Sequence, residues 1–139
     1  MKKFVLDASV TLAWFVGSSV APLARHAQTS LLQGGRAIVP PLWRPEVANG
    51  FVVAQKRGII SASKTREALA ELDILQAQSI EPVSFELSIE SIVAASQQFG
   101  LTAYDATYLE TARTMKLPLA TLDRRLGAAA GQAGIRLIA

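Results

Sequence analysis

Four carboxylates carry the chemistry this sequence can do. Asp7 directly follows the apolar run Phe4-Val5-Leu6, and Asp123 lies two residues past Thr121, where the run Leu117 to Thr121 ends. Glu46 comes shortly after Pro40-Pro41, in the first turn of an expected helix, and Asn49, three residues on, shares its face. Asp105 is the hardest to leave without a role. Projected at about 100° per residue, its helix groups it with Leu101, Tyr108, Leu109 and Ala112 and sets Thr107, Glu110 and Thr114 opposite. Asp105 is therefore expected in the middle of a buried stripe, where an unpaired carboxylate costs several kcal/mol or changes its pKa. No Lys or Arg shares that face except Lys116 at the far end. Oxygen donors without His or Cys suit Mg²⁺ or Mn²⁺, and magnesium held by carboxylates typically serves phosphate chemistry. Three of the four also have an ordinary reading: Asp7 and Asp123 as helix caps, Glu46 as an acid favoured by the helix dipole.

The elements that must position these residues alternate. Short apolar strands are expected at Phe4–Leu6, Ala37–Val39, Pro82–Val83, Leu117–Thr121 and Ile135–Ile138. Between them lie helices. One is capped by Ser9 and runs through Phe15; the next opens at Ser18 or Ser19 and stops at Gly34-Gly35. Another runs from about Pro45 to Arg57. A fourth is capped by Ser61 or Ser63, with Ala68, Leu69, Leu72 and Leu75 as its apolar stripe. Further helices cover Glu86 to Gln98, Thr102 to Met115 or Lys116, and Asp123 or Arg124 to Ala133. Such alternation calls for an α/β sandwich around a parallel sheet, which places ligand sites at the carboxyl ends of its strands.

Composition narrows the chemistry. With 139 residues, 1–139 is expected to form one domain. The absence of Cys excludes thiolate nucleophiles, disulfides and Cys-ligated zinc; the single His, His26, excludes a two-histidine site. His26 is expected to be a surface or packing residue. With the four acids set aside, seven acids remain against 14 Lys and Arg, so a net charge of +3 hides +7 outside the candidate pocket. A basic remainder suits a nucleic-acid backbone. Arg44, Arg57, Arg124 and Arg125 lie near the acids in sequence; Arg44, Arg124 and Arg125 stand as candidate phosphate contacts, or else as solvated helix faces. Lys2-Lys3 and the apolar stretch after them resemble a signal peptide ending near Ser19-Val20-Ala21, but Asp7 interrupts it. No run reaches the ~18 apolar residues of a membrane span. The expectation is a cytoplasmic protein with no membrane partner.

The blocks Val5-Leu6-Asp7-Ala8-Ser9, Glu46-Val47-Ala48-Asn49, Leu101-Thr102-Ala103-Tyr104-Asp105-Ala106-Thr107-Tyr108 and Leu119-Ala120-Thr121-Leu122-Asp123 resemble, in order and over essentially the whole chain, the PIN-domain ribonucleases, and among them the VapC toxins of toxin–antitoxin pairs. The resemblance implies a PIN-like, Rossmann-like three-layer sandwich with a central parallel five-stranded sheet of order 3-2-1-4-5. It implies Mg²⁺- or Mn²⁺-dependent endonucleolytic hydrolysis of RNA by a metal-activated water. Asp7, Glu46, Asp105 and Asp123 would be the acidic quartet, with Asp7 and Asp105 the direct ligands and Glu46 and Asp123 acting directly or through water. Ser9, Asn49 and Thr121 match supporting positions. The implied partners are RNA, a VapB-like antitoxin and a second copy of the chain.

Two other readings compete. A receiver- or phosphatase-like phosphoaspartate protein also carries an Asp after its first strand, but the phosphatase kind wants D-x-D where this chain has Ser9. A non-catalytic binding module would use the same carboxylates as caps and solvated edges. Trp14, Phe15, Val16 and Trp43 read as core, or as lining of a partner groove beside Asp7 and Glu46. Gly34-Gly35 is a turn with no phosphate-cradling motif around it.

Overall fold

The computed structural model describes residues 2–138. The elements are β1 (Lys3–Leu6), α1 (Ala8–Phe15), α2 (Pro22–Leu32), β2 (Arg36–Val39), α3 (Trp43–Lys56), α4 (Ala62–Ser79), β3 (Ile80–Pro82), α5 (Ile89–Phe99), α6 (Ala103–Met115), β4 (Leu119–Ala120) and α7 (Arg124–Gln132). The strands form a parallel sheet of order β3-β2-β1-β4. Phe4, Val5 and Leu6 are all fully buried. Successive strand residues face opposite sides of a sheet, so both faces of β1 are covered by helices, which makes three layers. The chain steps outward from β1 to β2 to β3 and then returns to place β4 on the other side. The crevice between the carboxyl ends of β1 and β4 is thus the topological switch point, where open α/β sheets bind ligands.

The fifth strand expected at Ile135–Ile138 shrinks to a single parallel bridge between Leu119 and Leu137. Leu119 N–H donates to Arg136 O and Ile138 N–H donates to Leu119 O, both at 2.9 Å. The side of the sheet is as expected, but β4 is two residues long and offers no more ladder to pair with. The third strand comes earlier than Pro82–Val83. Pro82 lacks an N–H and closes β3, an edge strand where proline is tolerated.

Helix starts also differ. Helix α2 begins at Pro22 rather than at Ser18 or Ser19, because proline is preset for a first turn and the serines are left outside. Helix α5 begins at Ile89 under a Ser88 cap rather than at Glu86. Ser9 lies inside α1, and Asp7 takes the N-cap position without making a cap bond. Leu69 of the expected α4 stripe is 43% exposed, whereas Ala68 and Leu72 are buried. Glu110, expected to face solvent, is 7% exposed, because α5 packs over that side of α6; its carboxylate pairs with Arg113. No helix among the described residues is long and apolar enough to cross a membrane.

Candidate active site

Chain geometry delivers the four acids from four separate places. Asp7 leaves the carboxyl end of β1, and Asp123 follows β4. Glu46 sits in the first turn of α3 and Asp105 in the first turn of α6. All four line one pocket of about 470 Å³, together with Ser9, Leu12, Asn49, Gly50 and Arg57 among others. Gly50 permits this closeness: a Cβ there would collide with the Leu12 side chain, so the glycine lets α3 lie against α1.

Hydrogen bonds hold three of the carboxylates, each differently, and a cap bond holds the backbone of Asp105. Asp7 is 6% exposed, and its Oδ2 accepts from Ser9 Oγ at 2.6 Å and from Thr121 Oγ1 at 2.7 Å. The two supports are themselves held: Ser9 Oγ accepts from Leu122 N–H at 3.0 Å, and Thr121 Oγ1 accepts from Asp123 N–H at 3.0 Å. One network therefore joins the ends of β1 and β4 across the switch point. Asp123 caps α7 by accepting from Leu126 N–H at 2.9 Å. Thr102 caps α6 by accepting from Asp105 N–H at 3.1 Å. Tyr108 OH donates to Glu46 Oε1 at 2.7 Å, tying α6 to α3.

The sequence placed Tyr108 beside Asp105 on one face but did not expose its bond to Glu46, which joins residues 62 positions apart. Asp105 itself is half-buried rather than central in the stripe, since the first turn of α6 overhangs the edge of the sheet. Arg44, Arg124 and Arg125 are exposed and outside the pocket lining. Arg44 precedes Glu46 by two residues and so turns away from it, whereas Arg57, eleven residues after Glu46, returns to nearly the same face. A roomier cleft at the opposite, amino edge of the sheet is lined by Lys2, Arg25 and His26 but holds no carboxylate. His26 is exposed there, with Lys2 Nζ at 3.1 Å from its Nε2.

Burial raises the carboxyl pKa of Asp7, Glu46 and Asp105 above the ordinary range. Mutual repulsion adds to it: Asp123 acts on Asp7, Asp7 and Asp105 act on Glu46, and Asp123 and Asp7 act on Asp105. Burial also pushes the Tyr108 hydroxyl far up, so it stays a donor to Glu46. A carboxyl raised on folding binds its proton more tightly in the native state. Its stabilising protonation is complete below the unfolded pKa, near 3.8 for Asp and 4.5 for Glu, and is lost as pH rises through the folded value. In metal-free buffer these three acids should make the fold less stable as pH rises from about 4 toward 7. Urea titrations across that window check this on the wild type against Asp105→Asn, whose slope of stability with pH should be shallower.

The donor set fits a hard divalent cation. It is made only of oxygen, and none of the four acids has a Lys or Arg ion-pair partner among the described residues. No three of these acids close on a single point among the described residues; they are spread around the pocket instead.

The PIN domain family model matches residues 4–132. The chain belongs to the PIN-domain family. That membership answers the receiver- and phosphatase-like alternative. This PIN domain is 28% identical over 125 residues to Ribonuclease VapC3 of Pyrobaculum aerophilum, a match covering 89% of this chain and 92% of that relative. The fold is also that of the crystal structure of PAE2754 from Pyrobaculum aerophilum, with a TM-score of 0.67 at 22% identity over 92% of this chain and 84% of the other.

Proposed function

We propose that this PIN domain, spanning 1–139, is a Mg²⁺- or Mn²⁺-dependent endoribonuclease and the toxin of a VapBC-type pair. The observation that carries the reading is that Asp7, Glu46, Asp105 and Asp123 all line one pocket at the switch point, without Lys or Arg ion-pair partners among the described residues. Asp7 and Asp105 would hold the metal, with Glu46 and Asp123 doing so directly or through water. A metal held there would offset phosphate charge and acidify a water. The Ser9 and Thr121 hydroxyls both donate to Oδ2 of Asp7, so neither of them occupies Oδ1. Tyr108 donates to Oε1 of Glu46 and does not occupy Oε2. Glu46 or Asp123 would accept the proton of the attacking water; the bond from phosphorus to the 3′ oxygen breaks in line, and that oxygen takes a proton from solvent, which leaves 5′-phosphate and 3′-hydroxyl ends. Asn49, on the Glu46 face of α3, supports the pocket wall, and Arg44, Arg124 and Arg125 meet phosphates outside it. The likeness to a VapC ribonuclease supports RNA as substrate and a VapB-like antitoxin as partner; a homodimer and a cytoplasmic place of action complete the proposal.

Purified protein incubated with total cellular RNA is the test. Cleavage is expected with Mg²⁺ or Mn²⁺, to stop on chelation and to resume when the ion is restored. Cleavage that persists unchanged in excess chelator, or a wild type that cuts nothing with either ion, would sink this reading.

A further inference from the structure

We propose that Arg57 is a substrate-positioning residue that takes an RNA phosphate a few nucleotides from the one being cleaved, an inference that rests on the ribonuclease reading. Among the described residues lining the acidic pocket, Arg57 is the one cation. It forms no ion pair among the described residues, although four carboxylates line the same pocket. Distance accounts for this: eleven residues of helix at 1.5 Å each put its backbone about 16 Å from that of Glu46. Between them the α3 face presents Asn49, Gly50, Val53 and Ala54, a run with no charge and no large side chain. An extended strand can therefore lie along α3 with one phosphate at the acids and another at Arg57.

The backbone under Arg57 is fixed. Gly58 N–H donates to Gln55 O at 3.1 Å and Ile59 N–H donates to Ala54 O at 2.9 Å, with Gly58 at φ 71°. These are the two bonds of a Schellman C-cap, and Arg57 occupies the C-cap position itself. The fixed backbone sets where the side chain starts, and the planar guanidinium can engage a phosphate with two parallel hydrogen bonds. It also draws the polyanion onto a wall that is otherwise acidic.

The test measures binding of a labelled single-stranded oligoribonucleotide pool across a range of salt. It is done on the Asp105→Asn background, with and without Arg57→Ala and Arg57→Lys, alongside wild-type cleavage of total RNA. Losing one phosphate contact should reduce the slope of log affinity on log salt by about 0.7, which near ~0.15 M salt is about four-fold weaker binding. Arg57→Lys keeps the charge and should keep the slope. With Asp105 restored, the Arg57→Ala loss should fall on KM rather than kcat. An unchanged slope in Arg57→Ala, or an equal loss in Arg57→Lys, overturns the assignment while wild-type cleavage leaves the ribonuclease reading standing. A wild type that cuts no RNA overturns both.

Discussion

Replacing Asp105 by Asn should abolish RNA cleavage and raise the melting temperature at the same time. Asp105 is half-buried, and its carboxyl is raised first by burial and then by repulsion from Asp123 and Asp7. A neutral amide of the same shape removes the charge that burial and those neighbours penalise. The backbone bond from Asp105 N–H to Thr102 Oγ1 does not involve the side chain and survives the change. In metal-free buffer at neutral pH the expected gain is roughly 2–5 °C, the size of other single-site repairs in domains of this length. Activity should fall by ~10²-fold or more, the loss that follows removal of one preorganised charged group from a polar active site. Thermal unfolding and RNA cleavage on the same preparation check both signs. A variant that loses stability along with activity would make Asp105 a structural cap residue. Undiminished cleavage would remove it from the quartet.

How far the site was legible depends on what each residue's placement rests on. Asp7 and Asp123 rest on local facts: a short apolar run buried on both faces must end, and the next polar residue emerges at the sheet edge. Thr102 at the start of its helix and Glu46 in a first turn were local in the same way. Asp105 was placed on the right face but too deep. Helical projection gives the angle of a side chain and not its height, and α6 begins where the sheet stops. Glu110 failed for the opposite reason, since its exposure is decided by α5, which projection of α6 cannot see. Chain alternation pointed to a parallel sheet and the resemblance to the PIN-domain ribonucleases implied its order, whereas the length of the last strand depended on β4, which is too short to carry a ladder. The Tyr108–Glu46 bond lay beyond reach because it depends on how two distant helices dock. Arg57 was within reach: the same projection that pairs Glu46 with Asn49 brings residue 57 back to that face.

Trp43→Ala should be the most damaging single change to the scaffold. Trp43 opens α3, is 2% exposed, and its Nε1–H donates to Thr11 Oγ1 of α1 at 3.1 Å. Emptying that volume costs about 3–5 kcal/mol. That is a large part of the roughly 5–15 kcal/mol that holds a domain of this size together. The phenylalanine variant separates packing from hydrogen bonding. It keeps most of the ring and leaves the Thr11 hydroxyl, fully buried, without its donor, which costs about 1–3 kcal/mol. Urea midpoints at constant m-value measure both changes. Equal midpoints for Trp43→Phe and wild type would show that the indole N–H contributes nothing. Glu46 stands three residues after Trp43 on the same helix, so loosening this first turn also loosens the carboxylate that Tyr108 holds. Cleavage should therefore weaken in Trp43→Phe while the protein is still folded. The Trp43 and Asp105 changes thus move stability in opposite directions and activity in the same one. That pattern is expected when buried aromatic contacts between α1, α3 and α6 hold together a set of charges that would otherwise drive them apart.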